Sequence, residues 1–325
     1  MSARIYSPTP KNLRLLARAL RRGELVALPT ETVYGLAANA LDAKACRSIF
    51  RAKGRPANDP LIVHVLDLAH AEELAEFNPA ARRLARRFWP GPLTIVLPKK
   101  ACVPGIVTSA GPTVAIRVPA HSLARRLLSL AGVPLAAPSA NRFGYISPTE
   151  PAHVIDGLGH KIRHVLDGGA CAVGVESTII DLTMPDRPRL LRPGAITGKA
   201  LEKFLRRTVR RGRRSGNPDA ALAAPGLLAR HYSPRTPLQI KSPGYRLPPS
   251  SAGIFLRKPA GPVGPNIYWL SENGAMEEIA RNLYRVLRMA DRAGWRQIRV
   301  EALPAEPGGL AAALRDRLKR AAAKR

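Results

Sequence analysis

The 325-residue chain reads as an α/β protein: a twisted mixed sheet flanked by helices, followed by a second, smaller α/β domain of Rossmann-like type. Three observations predict this. Strand-like apolar runs and helix-period segments alternate along the first two hundred residues without the strict order of a parallel barrel. The runs GPLTIVL and TVAIRV can pair as an antiparallel hairpin, which makes the sheet mixed. A stretch rich in Arg, Gly, Pro and Ala, RRGRRSGNPDAALAAPG, lacks the apolar spacing of a packed element, and a compact βαβα pattern follows it. The expected division is 1–205, a linker or cover over 206–238, and a small domain over 239–325.

The elements follow in order. Thr9 can cap a first helix, Pro10 suits its first turn, Leu13, Leu16, Ala17 and Leu20 recur at helical spacing, and Gly23 can end it. A strand is expected over 25–28, and a second helix capped by Asp42 and running to Ala52. Apolar runs at 61–66, 94–97, 114–118 and 134–137 read as buried strands, with a helix near 122–130. Residues 173–182 and 189–191 read as closing strands, and 199–210 as a helix leading into the linker. In the small domain, strands are expected at 253–256, 267–270 and 298–303, with helices at 276–293 and from Leu310 onward; the terminal AAAKR is expected to fray.

Composition narrows the function classes. No apolar stretch approaches the ~20 residues of a membrane helix, and the first residues lack a secretory apolar region, so a soluble cytoplasmic protein is expected. Cys46, Cys102 and Cys171 stand far apart with no C-x-x-C pair, which indicates neither a disulfide framework nor a cysteine zinc site. Lys and Arg number 52 against 23 Asp and Glu, a net charge of +29. That field favours anionic partners such as nucleotides or RNA, and an Arg-rich surface is equally a mark of genome composition or habitat.

Three stretches carry chemistry: PTETVYGLAANA, KGRPANDPLIVHV and APSANRFG. Each sets polar or cationic groups beside an apolar run, the way a rigid sheet presents reactive side chains. Lys53 and Arg55 follow a helix in a loop stiffened by Pro56 and Pro60, a point charge and a planar fork able to converge on one polyphosphate. A solvated helix end is the plain alternative. Ser139 and Asn141 follow a buried run, where ligands commonly sit in α/β proteins and where caps and turns also occur. Arg117 ends the VAIRV run, and His64 within LIVHV has the setting of a core histidine.

Taken together, these motifs resemble the threonylcarbamoyl-AMP synthases, in the two-domain form where a YrdC-like domain precedes a linker and a smaller C-terminal domain. TETVYGLAANA, KGRPxxxPLIVH, FWPGPLT, TVAIRVPAH, APSAN, SPT, GVESTIID, LLRPG and RHYSP occur in family order. The resemblance implies synthesis of threonylcarbamoyl-AMP and pyrophosphate from L-threonine, bicarbonate or CO2, and ATP. A downstream tRNA threonylcarbamoyl-transferase system would use the product. It also implies Thr32, His64, Arg117, Ala137 and Ser177 around threonine, and Arg55, Asp59, Thr113, Ser139, Ser147, Arg192 and Tyr232 around ATP. Mg²⁺ is expected to arrive with the nucleotide, without a dedicated protein site. Joining a carboxylate to a triphosphate brings anions together, so catalysis should rest on positioning and charge neutralisation by Lys53, Arg55 and Arg192.

Thr32, His64 and Ser177 are all candidates for the threonine hydroxyl; Glu31, Tyr34, Glu176 and Thr178 share the motifs, and Asn141 reads as an anchor of the strand-end loop. The segment 224–234 would cover the nucleotide, with Gly226 as a hinge and Tyr232 above the ligand. Relatives carry Met, Lys and Tyr where this chain reads Leu227, Leu228 and Ala229, which leaves a lysine contact from the cover unsupported. Many relatives read Asp-Asn at Asn58-Asp59, so Asp59 could orient Arg55 or hold Mg²⁺ through water. The alternative from another class is a non-catalytic RNA-binding protein, suggested by the net charge and the basic run over 206–214, although no aromatic residue flanks that run. Weak tRNA binding is compatible with synthesis.

Overall fold

The structure, a computed structural model, describes residues 2–212, 224, 231–305 and 309–323. Strand β1 (Arg4–Tyr6) precedes helix α1 (Pro10–Arg21), which Thr9 caps by accepting from the Asn12 amide. Then come β2 (Val26–Leu28), β3 (Gly35–Asn39) and α2 (Ala43–Lys53), capped by Asp42. Each such cap contributes roughly 1 kcal/mol. β4 (Ile62–His64), α3 (Leu68–Glu72), α4 (Pro79–Phe88), β5 (Leu93–Pro98) and β6 (Thr113–Arg117) follow, with β5 and β6 antiparallel as expected. After α5 (Ser122–Ala131), β7 (Leu135–Ala136), α6 (Pro151–Leu158), β8 (His164–Leu166), β9 (Thr178–Asp181) and β10 (Arg189–Arg192) come α7 (Gly198–Leu205) and β11 (Arg210–Arg211). These strands form one open mixed sheet of eleven, in the order β1-β8-β2-β3-β7-β4-β6-β5-β9-β10-β11.

Strand alternation divides the sheet into two faces. Val63, Ile95, Leu97, Val114, Ile116 and Ile180 point to one face, into the large core shared with α2 and α4. The opposite face is split. Over Val26, Leu28, Ala37 and Leu135 it is covered by α1 and α5. Farther along, Ile62, Val96, Ala115, Ile179 and Leu191 form a separate apolar floor, and the candidate site lies between the two halves.

The second sheet is wholly parallel, in the order β12 (Leu238–Lys241), β15 (Gln297–Glu301), β13 (Ser251–Arg257), β14 (Ile267–Ser271), and packs with α8 (Met276–Arg292) and α9 (Gly309–Ala321). α8 also docks on the first sheet's loops. Val33, Ile146 and Val175 join the apolar core of Ile279, Leu283 and Leu287. At Gly174 (φ 77°) the contact is so close that a Cβ would lie 2.5 Å from the Ala280 carbonyl oxygen.

Two expectations are corrected. The helix read over 199–210 ends at Leu205, because Arg206 turns left-handed (φ 55°) and Arg210–Arg211 pairs with β10 instead. The strand read over 173–182 is only Thr178–Asp181, since the residues before it form the docking loop and part of the site. Gly226, Leu227, Leu228, Ala229, the basic run beyond Gly212 and the last two residues lie outside the described residues. Among the described residues no helix is long and apolar enough to cross a membrane.

Candidate active site

The loop leaving β2 is fixed by Thr30. Its Oγ1 accepts from the Thr32 and Val33 amides at 3.1 and 3.2 Å and donates to the Val33 carbonyl at 2.7 Å, a local turn that sets Thr32 above the sheet. Gly35 opens β3 and bridges to Ser139; a Cβ there would sit 3.2 Å from that of Ala137, so the two backbones approach closely. In the parallel pair β4–β6, His64 is in register with Arg117, and both side chains share the site's face. Glu176 and Ser177 precede β9, and Arg192 ends β10 beside them.

These residues line one partly open cavity between the two halves of the sheet. Of the sequence-predicted residues, Thr32, His64, Arg117, Ala137, Ser177, Arg55, Ser139, Arg192 and Tyr232 line it. Lys53, Asp59, Thr113 and Ser147 do not. Lys53 sends its ammonium to the carbonyls of Ser139 and Asn141 at 2.5 and 2.6 Å, behind the strand-end loop. Asp59 forms an ion pair with Arg55 at 3.0 Å. Ser147 donates to Glu176 at 2.6 Å. Thr113 starts β6, four residues from Arg117 and roughly 13 Å along the strand. Tyr34 and Asn141 also act in the frame: the Tyr34 hydroxyl donates to the Gly169 carbonyl, and the Asn141 amide to those of Arg142 and Tyr145.

The charges are arranged in pairs. Arg117 reaches Glu31 at 2.6 Å, donates to Thr32 Oγ1 at 2.9 Å and to the Gly91 carbonyl at 3.2 Å. Burial alone would raise the Glu31 carboxyl; the Arg117 charge and hydrogen bond, with backbone donors, bring it below the ordinary value. Arg55 is matched by Asp59 and donates further to the Pro60 carbonyl. Arg192 differs: it donates to the Ser177 carbonyl and hydroxyl, both at 3.0 Å, and among the described residues has no carboxylate within ion-pair distance. It is the cavity arginine best placed to meet an incoming anion.

Three lining groups carry unused bonding capacity. His64 Nδ1, His231 Nδ1 and the Tyr232 hydroxyl are buried without a hydrogen-bond partner among the described residues. Burial, reinforced by Arg117, pushes His64 down to about 3, and burial does the same to His231, so both rings are neutral at physiological pH. Tyr232 is held in a left-handed conformation (φ 64°), uncommon for a bulky side chain and typical of functional sites. Its ring lies edge-on to His231 at 4.1 Å and stacks on Tyr284 at 5.7 Å.

Sequence reasoning left Thr30, Val33, Gly35, Ile62, Pro138 and His231 out of the lining. Their signal was positional: each is next to, or two residues from, a residue it singled out.

Two family models cover the chain: Sua5_yciO_yrdC, described as telomere recombination, matches residues 18–194, and the model for the C-terminal domain of threonylcarbamoyl-AMP synthase matches 196–323. The Pyrococcus abyssi threonylcarbamoyl-AMP synthase is 42% identical over 95% of this chain and 93% of its own. The Bacillus subtilis threonylcarbamoyl-AMP synthase is 39% identical over 94% of this chain and 91% of its own. The crystal structure of P. abyssi Sua5 complexed with L-threonine superposes with a TM-score of 0.88 at 39% identity, covering 98% of both chains. Fold and cavity thus define a two-domain α/β protein with a cation-lined pocket on its first sheet. The chain belongs to the Sua5/YciO/YrdC family, in the form that carries the threonylcarbamoyl-AMP synthase C-terminal domain.

Proposed function

We infer that the chain is a threonylcarbamoyl-AMP synthase, and we propose how its residues perform the synthesis. The amine of threonine forms a C–N bond to give a carbamate, with loss of water when bicarbonate is the donor or of one proton when CO2 is. A carbamate oxygen attacks the α-phosphorus of ATP, and the bond to the β-phosphate oxygen breaks to release pyrophosphate, which makes the chain a nucleotidyltransferase.

The observation that carries the assignment is the mix of residues lining one cavity: Arg192, which has no carboxylate partner among the described residues, with His64 and Tyr232, each holding a buried polar atom that lacks a hydrogen-bond partner among the described residues. Arg117, already oriented by Thr32 and Glu31, is assigned to the threonine carboxylate. Thr32 and Ser177 hydroxyls are engaged within the frame, whereas His64 Nδ1 is not, so His64 is assigned the threonine hydroxyl. Ala137 shapes the threonine side. Arg55, Arg192, Ser139 and Tyr232 are assigned to ATP, the arginines offsetting charge that gathers as two anions react. Lys53, Asp59 and Ser147 act through Ser139, Arg55 and Glu176, and no ligand contact is assigned to Thr113. The P. abyssi complex with L-threonine supports the amino-acid half of this reading.

Asp59 and Glu176 are both engaged by guanidinium groups, and among the described residues no three His, Cys, Asp or Glu side chains gather as a metal-binding group. We assign no protein side chain to Mg²⁺ and propose that the ion enters with the nucleotide substrate. The adenylate would pass to a tRNA threonylcarbamoyl-transferase system in the cytoplasm.

The test is pyrophosphate release by the pure protein. Synthesis requires release that depends on both threonine and bicarbonate, with labelled bicarbonate trapped in a nucleotide adduct. RNA binding with no such turnover would favour the non-catalytic alternative.

A further inference from the structure

The loop that places Ser177 in the cavity is held from the other domain. Glu176 is 5% exposed, and its carboxylate accepts from Arg317 Nε of α9 at 2.7 Å, from the Tyr284 hydroxyl of α8 at 2.9 and 3.1 Å, and from Ser147 at 2.6 Å. Two of its three donor side chains therefore come from beyond the first sheet. The same two side chains also hold Tyr232: its ring stacks on Tyr284, and the Arg317 guanidinium lies 5.2 Å from its centroid. Ser177, next along the chain, takes both hydrogen bonds of Arg192. A buried carboxylate is tolerated only when paired and hydrogen-bonded, so the conformation of 176–177 depends on α8 and α9 being docked. Burial would raise the Glu176 carboxyl, yet Arg317 and Arg192 with the Ser147 bond hold it at about 2.

We propose that Arg317 and Tyr284 are positioning residues of the nucleotide side of the pocket. By gripping Glu176 and the Tyr232 ring together, they set Ser177, Arg192 and Tyr232 in one fixed arrangement. The second domain is then a structural part of the site rather than a separate module. This rests on the assignment of Arg192 and Tyr232 to ATP made above.

The test measures affinity for a non-hydrolysable ATP analogue by calorimetry, together with KM and kcat, in Tyr284→Phe, Arg317→Lys, Arg317→Met and the double variant Arg317→Met/Glu176→Gln. Tyr284→Phe keeps the stacked ring and loses only the bonds to Glu176. Loss of alignment is expected to weaken analogue binding and raise KM for ATP by at least about tenfold in Arg317→Met, and by less in Tyr284→Phe and Arg317→Lys, with a smaller rise in KM for threonine through Ser177. The double variant, which removes the stranded charge with its partner, should recover most of the loss. A merely structural role would lower the melting temperature and leave the constants of the folded protein at wild-type values; that result in Tyr284→Phe and Arg317→Lys overturns the proposal, even if Arg317→Met fails to fold. A wild-type protein that binds the analogue but releases no pyrophosphate would defeat the catalytic reading, and the binding data would still decide this one. A wild-type protein that binds no nucleotide would defeat both.

Discussion

The ammonium of Lys53 donates to the carbonyl of Ser139 at 2.5 Å, joining the end of α2 to a loop 86 residues away. A second bond, to the Asn141 carbonyl at 2.6 Å, makes the lysine a brace for the strand-end segment rather than a cation facing the cavity. Burial, with the Arg55 charge, drives its pKa well down, and the Asp59 charge opposes that shift.

Lys53→Met should therefore weaken the protein as well as the enzyme. It leaves two carbonyls without their donor, so denaturant unfolding is expected to show a loss of about 1–3 kcal/mol, with reduced pyrophosphate release from misplaced Ser139. Lost activity with unchanged stability would mean that Lys53 acts on substrate directly.

His64→Phe should blunt the distinction between threonine and valine. A site built to bond a hydroxyl disfavours the analogue lacking it by up to ~10⁴-fold, and His64 lines the cavity with a buried Nδ1 that has no hydrogen-bond partner among the described residues. Competition between the two amino acids in the pyrophosphate assay reads the ratio directly. A preserved ratio would move the assignment to Thr32 or Ser177.

Tyr232→Phe is expected to separate stability from activity. The buried hydroxyl has no hydrogen-bond partner among the described residues, so deleting it should leave unfolding free energy unchanged or raise it by about 1 kcal/mol, while the affinity for ATP falls. Equal losses in both measurements would show instead that the hydroxyl supports the fold.

Acid should destabilise the protein before its carboxylates titrate. His64, His153 and His231 all sit at about 3 against an ordinary 6.5, burial being the main cause. Their folded pKa values are depressed, so the unfolded chain binds more protons below 6.5, and stability is lost as pH falls from 6.5 toward 3, by up to about 1.4 kcal/mol per pH unit for each. Glu176, at about 2 against 4.5, adds its loss only below 4.5. Unfolding curves between pH 7 and 4 check this, and His153→Gln, away from the cavity, should flatten the slope.

What could be read from the sequence depended on how local the cause was. Thr9 and Asp42 cap the helices they precede, and the runs of β4, β5 and β6 are buried as their apolar patterns imply. His64 and Arg117 were found because they end such runs, and register then brings them together. β3 was hidden: GLAAN is poor in branched residues, and its strand forms because Gly35 lets the backbone close on Ala137. The direction of Lys53 was equally hidden, since a cation after a helix can face solvent, ligand or loop with the same local sequence. Arg317 gave no signal at all. In RDRLKR it has the spacing of a solvated helix face, and only the docking of α9 against Glu176 buries it.

That docking ties maturation of the pocket to the synthesis of α9. Arg317 lies 141 residues after Glu176, so during synthesis the first sheet emerges and can collapse while its acidic loop still lacks its cation. A nascent or truncated chain must keep Glu176 hydrated or lend it Arg192, and either choice misplaces Ser177. The finished active site is thus withheld until α9 has left the ribosome.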